Sequence, residues 1–137
     1  MKKGILITLF ACLAFTTAMA AGPKADMFEG KLFPPNVILE HRADLDLTRE
    51  QFTAIKAAVV EVQANIAGYE WDMREAQQNI MAELDQSPVD EKRVLEHVSA
   101  VLAAENQVKK QQMTMLIRLR NLLTADQVAY LESLRGK

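Results

Sequence analysis

The residues best suited to metal chemistry in this chain are its two histidines, His41 and His97. Imidazole nitrogen is a preferred ligand of zinc and copper, and carboxylate oxygens complete many such sites. Three acidic residues lie close to the first histidine: Glu40, Asp44 and Asp46. This group predicts a weak, exposed site for Zn or Cu at His41, and no resident cofactor is expected. The alternative interpretation is a surface histidine that binds no metal.

Catalytic residue types are not grouped in the sequence. The only cysteine, Cys12, falls in the apolar N-terminal stretch, so the rest of the chain has no thiol nucleophile. Ser99 lies two residues from His97, and this separation places the two side chains on different faces of a helix. The chain is therefore predicted not to be an enzyme.

A third group combines cations with flexible apolar side chains. The stretch from Val108 to Ala125 has no acidic residue. Helical spacing places one set of its residues on a single face: Lys109, Met113, Leu116 and Arg120. Methionine and long cationic side chains repack around varied apolar and acidic partners, so this stripe is a candidate client-binding surface. The alternative is an ordinary solvated face near a helix C-terminus, where cations are favoured.

The N-terminus has the pattern of an export signal. Lys2 and Lys3 precede an apolar run over residues 4–15, and residues 18–20 form a small-x-small cleavage site. Residues 1–20 are therefore predicted to be a cleaved signal peptide, and the mature chain is expected in the periplasm of a Gram-negative cell. Lipidation at Cys12 is the alternative, and it would anchor the chain to a membrane.

The mature chain is constrained by its composition. It has no cysteine, so packing alone must hold it together. Without Lys2 and Lys3, 14 basic residues remain against 18 acidic ones, a formal charge of −4. This balance gives no reason to expect nucleic acid as a partner. Residues 21–35, with two glycines and three prolines, are predicted to form a flexible arm, and residues 36–137 a single domain.

Two copies of Leu-Thr-x-x-Gln, 76 residues apart, predict two helix starts. The threonine hydroxyl can accept from the backbone N–H of the glutamine, while the glutamine side chain reaches back to the threonine amide. This reciprocal pair is a capping box, and the leucine before it can pack on the first turn. The residues of the two structural motifs are Leu47, Thr48, Gln51, Leu123, Thr124 and Gln127.

Two long amphipathic patterns occupy the chain between these motifs. Apolar residues with a three-four spacing run over residues 52–80 and again over residues 94–122. Glu105 and Gln112 are polar interruptions of the second pattern. Each pattern predicts a long helix with one continuous seam toward a neighbour.

The break between the two patterns, near Asp85, is only a few residues long. Helices joined so closely must be antiparallel neighbours. Ser87 suits the N-cap of the second helix, and Pro88 suits its first position. The sequence therefore predicts an all-α fold, a long antiparallel helical hairpin with short N- and C-terminal helices.

A second apolar stripe runs along each long helix, and a two-helix hairpin cannot bury it. The first helix carries Val60, Ala64, Ala67 and Trp71, and the second carries Leu95, Leu102, Met113 and Leu116. Either a homodimer or a surface left open for clients accounts for this surplus.

These features together resemble the Spy/CpxP periplasmic proteins and the related periplasmic heavy-metal-resistance proteins and metal sensors. The resemblance covers about residues 36–135 and rests on paired Leu-Thr-x-x-Gln motifs that bracket a helical hairpin behind an export signal. The stretch SPVDEKRVLEHVSAVLAAENQVKKQQMTMLIRLRNLLTADQ is similar to the second hairpin helix of the metal-resistance branch.

The resemblance implies a curved, all-helical homodimer in the periplasm. In the chaperone branch a basic and apolar face holds unfolded or misfolded envelope proteins without ATP. In the stress-regulator branch the same fold quiets a sensor kinase or another regulatory membrane protein. The expected function is thus an ATP-independent chaperone or envelope-stress adaptor.

The alternative function is a heavy-metal-resistance protein that senses or sequesters metal ions. In that branch, histidines on the N-terminal helix and on the second long helix bind the metal. Here only His41 matches the first position, and the later stretch KKQQMTMLIRL contains no histidine.

Overall fold

The computed structural model describes Phe28 and residues 30–134. The helices of that part of the chain are α1 (Pro35–Glu40), α2 (Arg49–Leu84), α3 (Glu91–Leu122) and α4 (Ala125–Ser133). α2 and α3 pack along each other, so the predicted all-α hairpin with short terminal helices is confirmed. The predicted signal peptide, with Cys12, lies outside the described residues, as does most of the predicted arm.

Both predicted capping boxes are present. Thr48 Oγ1 accepts from the backbone N–H of Gln51 at 3.1 Å, and Gln51 Oε1 accepts from the backbone N–H of Thr48 at 3.1 Å. The corresponding distances between Thr124 and Gln127 are 3.2 and 2.9 Å. α2 and α4 therefore begin at the residues that follow the two threonines.

The start of α3 differs from the prediction, because Ser87 does not cap it and Pro88 is not its first residue. The N-cap is Asp90, whose carboxylate accepts from the backbone N–H of Arg93 at 3.2 Å. Aspartate is as good a cap as serine, and Glu91 then falls in the first turn, where the helix dipole favours a negative charge.

The seam of α2 lies where the three-four spacing predicts it. All of its members are buried or half-buried: Phe52, Ile55, Val59, Val62, Ile66, Tyr69, Met73, Ala76 and Ile80. On α3 the predicted seam residues are also buried or half-buried, except Gln112, which is exposed; the neighbouring Gln111 is half-buried and hydrogen-bonds Asn65 of α2.

The main hydrophobic core lies at the base of the hairpin, where α1, α4 and the open ends of α2 and α3 meet. It contains Phe33, Ile38, Leu45, Leu47, Ile55, Leu119, Leu123 and Leu131. Farther along the hairpin, the buried apolar side chains are Val62, Ala76 and Ala104. Two helices shield only one narrow stripe, so apolar burial is concentrated at the base.

The two Leu-Thr-x-x-Gln copies bind each other through their glutamines. Gln51 Nε2 donates to Gln127 Oε1 at 2.7 Å, and Gln127 Nε2 donates to Gln51 Oε1 at 3.1 Å. Each amide nitrogen also donates to a backbone carbonyl, Gln51 to Leu122 at 2.8 Å and Gln127 to Leu45 at 2.9 Å. The repeat is therefore one paired structure that closes the base, and not only two helix starts.

Replacing Gln127 by alanine should destabilise the fold by about 3 kcal/mol, because the buried Leu45 carbonyl loses its donor and the half-buried Gln51 side chain loses its partner. The measurement is urea unfolding followed by circular dichroism. Gln112→Ala, at an exposed position of α3, is the matched control and should change the free energy of unfolding by less than about 0.5 kcal/mol. Equal effects of the two substitutions would contradict a structural role for the glutamine pair.

Candidate binding face of the hairpin

Polar side-chain pairs join α2 to α3 along one face of the hairpin. They are Glu61 Oε1 with Arg118 Nη1 at 3.1 Å, Asn65 Nδ2 with Gln111 Oε1 at 3.3 Å, and Glu83 Oε1 with Arg93 Nη2 at 2.9 Å. Their separations along each helix correspond to nearly whole turns, so the residues share a side. We call this side the polar face. The Asn65–Gln111 and Glu83–Arg93 contacts follow one antiparallel register of the two helices.

The other side of the hairpin, in the described part of the chain, has no such side-chain pair between the two helices. In the antiparallel register of the Glu83–Arg93 pair, two residues back along α2 and two residues forward along α3 place Met81 opposite Leu95. We call this side the open face, and it consists of Lys56, Gln63, Arg74 and Met81 of α2 with Leu95, Leu102, Lys109, Met113, Leu116 and Arg120 of α3. Spacings of seven and eleven on α2, and of seven, four and three on α3, hold each set on one side of its helix.

Large apolar side chains are most exposed at the tip end of the open face. Met81 is 62% exposed, Leu95 52% and Leu102 53%. Met113 and Leu116, nearer the base, are half-buried. The exposed apolar surface of this face therefore increases from the base toward the tip.

The four residues predicted to contact clients all lie on the open face, but they are not equally free. Arg120 Nη1 donates to the carbonyl oxygen of Lys31 at 2.6 Å and lies 3.8 Å from Glu132 Oε1. Lys31 Nζ lies 3.3 Å from the same carboxylate oxygen. The segment before α1 thus occupies the base end of the face, and Arg120 is already engaged.

Of the two cations in the predicted stripe, Arg120 is engaged and Lys109 remains available to a ligand. It takes part in none of the ion pairs found among the described residues. It follows Leu102 after seven residues, and Met113 follows it after four. A positive charge therefore lies directly between the exposed leucines and the methionine.

The outer stripe of α2 is exposed as well. Its members are Val60, Ala64, Ala67 and Trp71, and Trp71 is 68% exposed. The guanidinium of Arg74 stacks over the indole at 4.8 Å from the ring centroid and lies 3.8 Å from the Glu70 carboxylate. Trp71 therefore borders the open face through Arg74.

His41 lies at the base, on the turn after α1, and not on the open face. Its Nδ1 is 3.1 Å from Asp44 Oδ2, and its ring stands edge-on to Tyr130 of α4, with centroids 6.0 Å apart. Within the described residues, no group of three or more His, Cys, Asp or Glu side chains is arranged to hold a metal ion. Metal binding at His41 therefore stays a prediction.

The His41 cluster perturbs two ionisation equilibria. The hydrogen bond with His41, followed by one with the Tyr130 hydroxyl, holds the pKa of Asp44 below its ordinary value. Burial, and then the hydrogen bond to Asp44, raises the pKa of Tyr130. Both shifts favour the pair of an ionised Asp44 and a protonated Tyr130, which ties the turn after α1 to α4.

Comparison of the chain with protein-family models, with curated proteins and with solved structures found no match in any of the three. The likeness to the Spy/CpxP proteins therefore rests on the motifs and the hairpin pattern of the sequence. In residues 30–134, no helix combines the length and the apolar character needed to cross a membrane.

Asp44→Asn should reduce stability at neutral pH but not in acid. The lowered pKa means that Asp44 contributes stability above its ordinary pKa of 3.8, and this stability is lost as the pH falls through the lower folded-state value. The difference in free energy of unfolding between the parent chain and Asp44→Asn should therefore shrink as the pH falls below about 5. When both chains also carry His41→Ala, the difference between them at neutral pH should be smaller. A difference independent of pH would exclude the cluster as its source.

Proposed function

We propose that this chain is an exported, ATP-independent chaperone or envelope-stress adaptor that holds unfolded proteins on the open face. The observation that carries the proposal is the contrast between the two sides of one hairpin. The polar face is joined by three side-chain pairs, while the open face exposes three large apolar side chains beside Lys109, which has no ion pair among residues 30–134. A helix pair that served only as a scaffold has no need of exposed leucines, which cost solubility.

The chemistry of the open face suits many partners rather than one. Leucine and methionine side chains provide apolar contact area without demanding a fixed shape, and methionine repacks easily. The cations Lys56, Arg74 and Lys109 attract acidic segments before contact is made. Such a surface binds exposed apolar chain and releases it again without nucleotide chemistry.

The proposal places the mature chain in the periplasm, because residues 1–20 have the pattern of an export signal. Disulfide-free packing of the base, through the core and the glutamine pair, suits a chain that must work without cysteine there. Unfolded or misfolded envelope proteins are then the available clients, and a sensor kinase is the partner proposed for the adaptor role.

Lys109→Glu should weaken client holding about threefold, because a carboxylate repels acidic clients at the centre of the open face. The measurement is light scattering of an aggregating client, without ATP and after treatment of the chain with chelator. Lys110→Glu is the matched control, since Lys110 is exposed on another side of α3 and makes the same change of net charge. Equal loss in both variants would assign the effect to net charge and not to the open face.

The same assay separates the chaperone from the metal-responsive alternative. Suppression of scattering by the chelated chain supports the proposal. Suppression that appears only when zinc or copper is restored, and is absent in His41→Ala, would favour the metal protein instead. No suppression under either condition would contradict the chaperone role and leave the adaptor with one specific partner.

The proposal includes a homodimer that packs the outer stripe of α2 against a second copy. Trp71 is the largest apolar side chain exposed there, and its removal from water would stabilise the pair. Sedimentation equilibrium should give about twice the protomer mass. Trp71→Asp should give the protomer mass with unchanged helicity. Asn79→Asp is the control, since Asn79 is exposed on α2 away from that stripe, and it should keep the dimer mass. A parent chain that stays monomeric at all concentrations would contradict this interface.

A further inference from the structure

We infer that the open face selects unfolded segments by the spacing of their side chains. The preferred segment has two apolar residues three positions apart and an acidic residue three positions farther on, in either chain direction. This inference rests on the proposed function and adds the client sequence that the face recognises.

The contact points on α3 are evenly spaced. Leu95, Leu102 and Lys109 follow one another at intervals of seven residues, which is about 10.5 Å per interval at the rise of an α-helix. Met81 lies opposite Leu95 and widens the first apolar contact, while Arg74, nine residues from the Asn65–Gln111 pair, lies opposite Leu102. The face therefore offers apolar, apolar and cationic points in a row.

An extended polyproline II segment matches this row. It has three residues per turn and a rise of about 3.1 Å per residue, so every third side chain points the same way at intervals of about 9.3 Å. The mismatch of about 1 Å per interval is within the reach of leucine and lysine side chains. A β-strand instead repeats on one side at about 6.7 Å. Because unfolded chains populate polyproline II, binding in this form requires no prior folding.

The base end of the open face sets where the row stops. Arg120, eleven residues beyond Lys109, is held by the Lys31 carbonyl and by Glu132. Lys109 has no ion pair among the described residues, so it is the cation available to a client carboxylate. The recognised pattern accordingly ends with one acidic residue and needs no second one.

The test uses two labelled peptides of identical composition and the full mature chain, with binding followed by fluorescence anisotropy. One peptide carries two leucines three positions apart and an aspartate three positions beyond them, in a background of serine and proline. The other places the leucines side by side. The spaced peptide should bind about tenfold more tightly, since it buries both leucines at once. Equal affinities would overturn the inference.

Variants locate the effect on the face. Leu102→Ser should weaken binding of the spaced peptide about tenfold. Ile117→Ser should leave it unchanged, because Ile117 is 45% exposed on α3 but lies outside the open face. Lys109→Glu should remove the preference for aspartate over asparagine in the spaced peptide, and Lys110→Glu should retain it. Equal loss in Leu102→Ser and Ile117→Ser would overturn the inference, and circular dichroism confirms that each variant is folded.

Failure of this inference is distinguishable from failure of the proposed function. If the chain suppresses aggregation but binds both peptides equally, the chaperone role stands and the spacing rule is wrong. If the chain neither suppresses aggregation nor binds either peptide, both are wrong.

Discussion

The reciprocal hydrogen bonds between Gln51 and Gln127 are the interaction on which the rest of the structure depends. Each glutamine caps its own helix start, binds the other glutamine, and satisfies a carbonyl at Leu122 or Leu45. All donors and acceptors of the pair are used, so burial of the amides carries no unsatisfied polar group. The pair joins the turn after α1, the end of α3 and the start of α4, and the apolar core packs around that junction.

A geometric constraint acts on the remainder of the hairpin. Two helices cover each other along one seam only, so every other side must be polar, paired or exposed. On the polar face, the side chains of the two helices are paired with each other as Glu61–Arg118, Asn65–Gln111 and Glu83–Arg93. The open face has no equivalent pairs among the described residues, and its leucines stay in water. Because one side is tied and the other is not, a ligand can contact the open face without breaking a bond between α2 and α3.

The sequence predicts the local parts of this fold well, and the distant contacts poorly. Thr48 and Thr124 are recognisable as caps because their partners lie three residues away, and the α2 seam follows from its spacing. Asp90 displaced Ser87 as a cap because several adequate caps compete within the linker. Gln112 is exposed although its spacing placed it in the seam, and Gln111 makes the contact with α2, because two adjacent glutamines give the pattern no apolar residue that distinguishes them. The glutamine pair spans 76 residues, and the Arg120 bond ends on a backbone carbonyl, which has no sequence signature. Of the candidate site, the common face of Lys109, Met113 and Leu116 was predictable, but the engagement of Arg120 was not.

The uneven distribution of burial has a consequence for function. The base holds the core and the glutamine pair, whereas the tip half is joined by few buried side chains, among them Ala76 and Ala104. Regions with little apolar burial open at lower free energy than the core does. The most exposed leucines of the open face, Leu95 and Leu102, therefore lie on the part of the hairpin that adjusts most easily. In the proposed chaperone role, a binding surface on this less stable part of the hairpin would fit varied unfolded segments, because the core and the glutamine pair that stabilise the fold lie at the base.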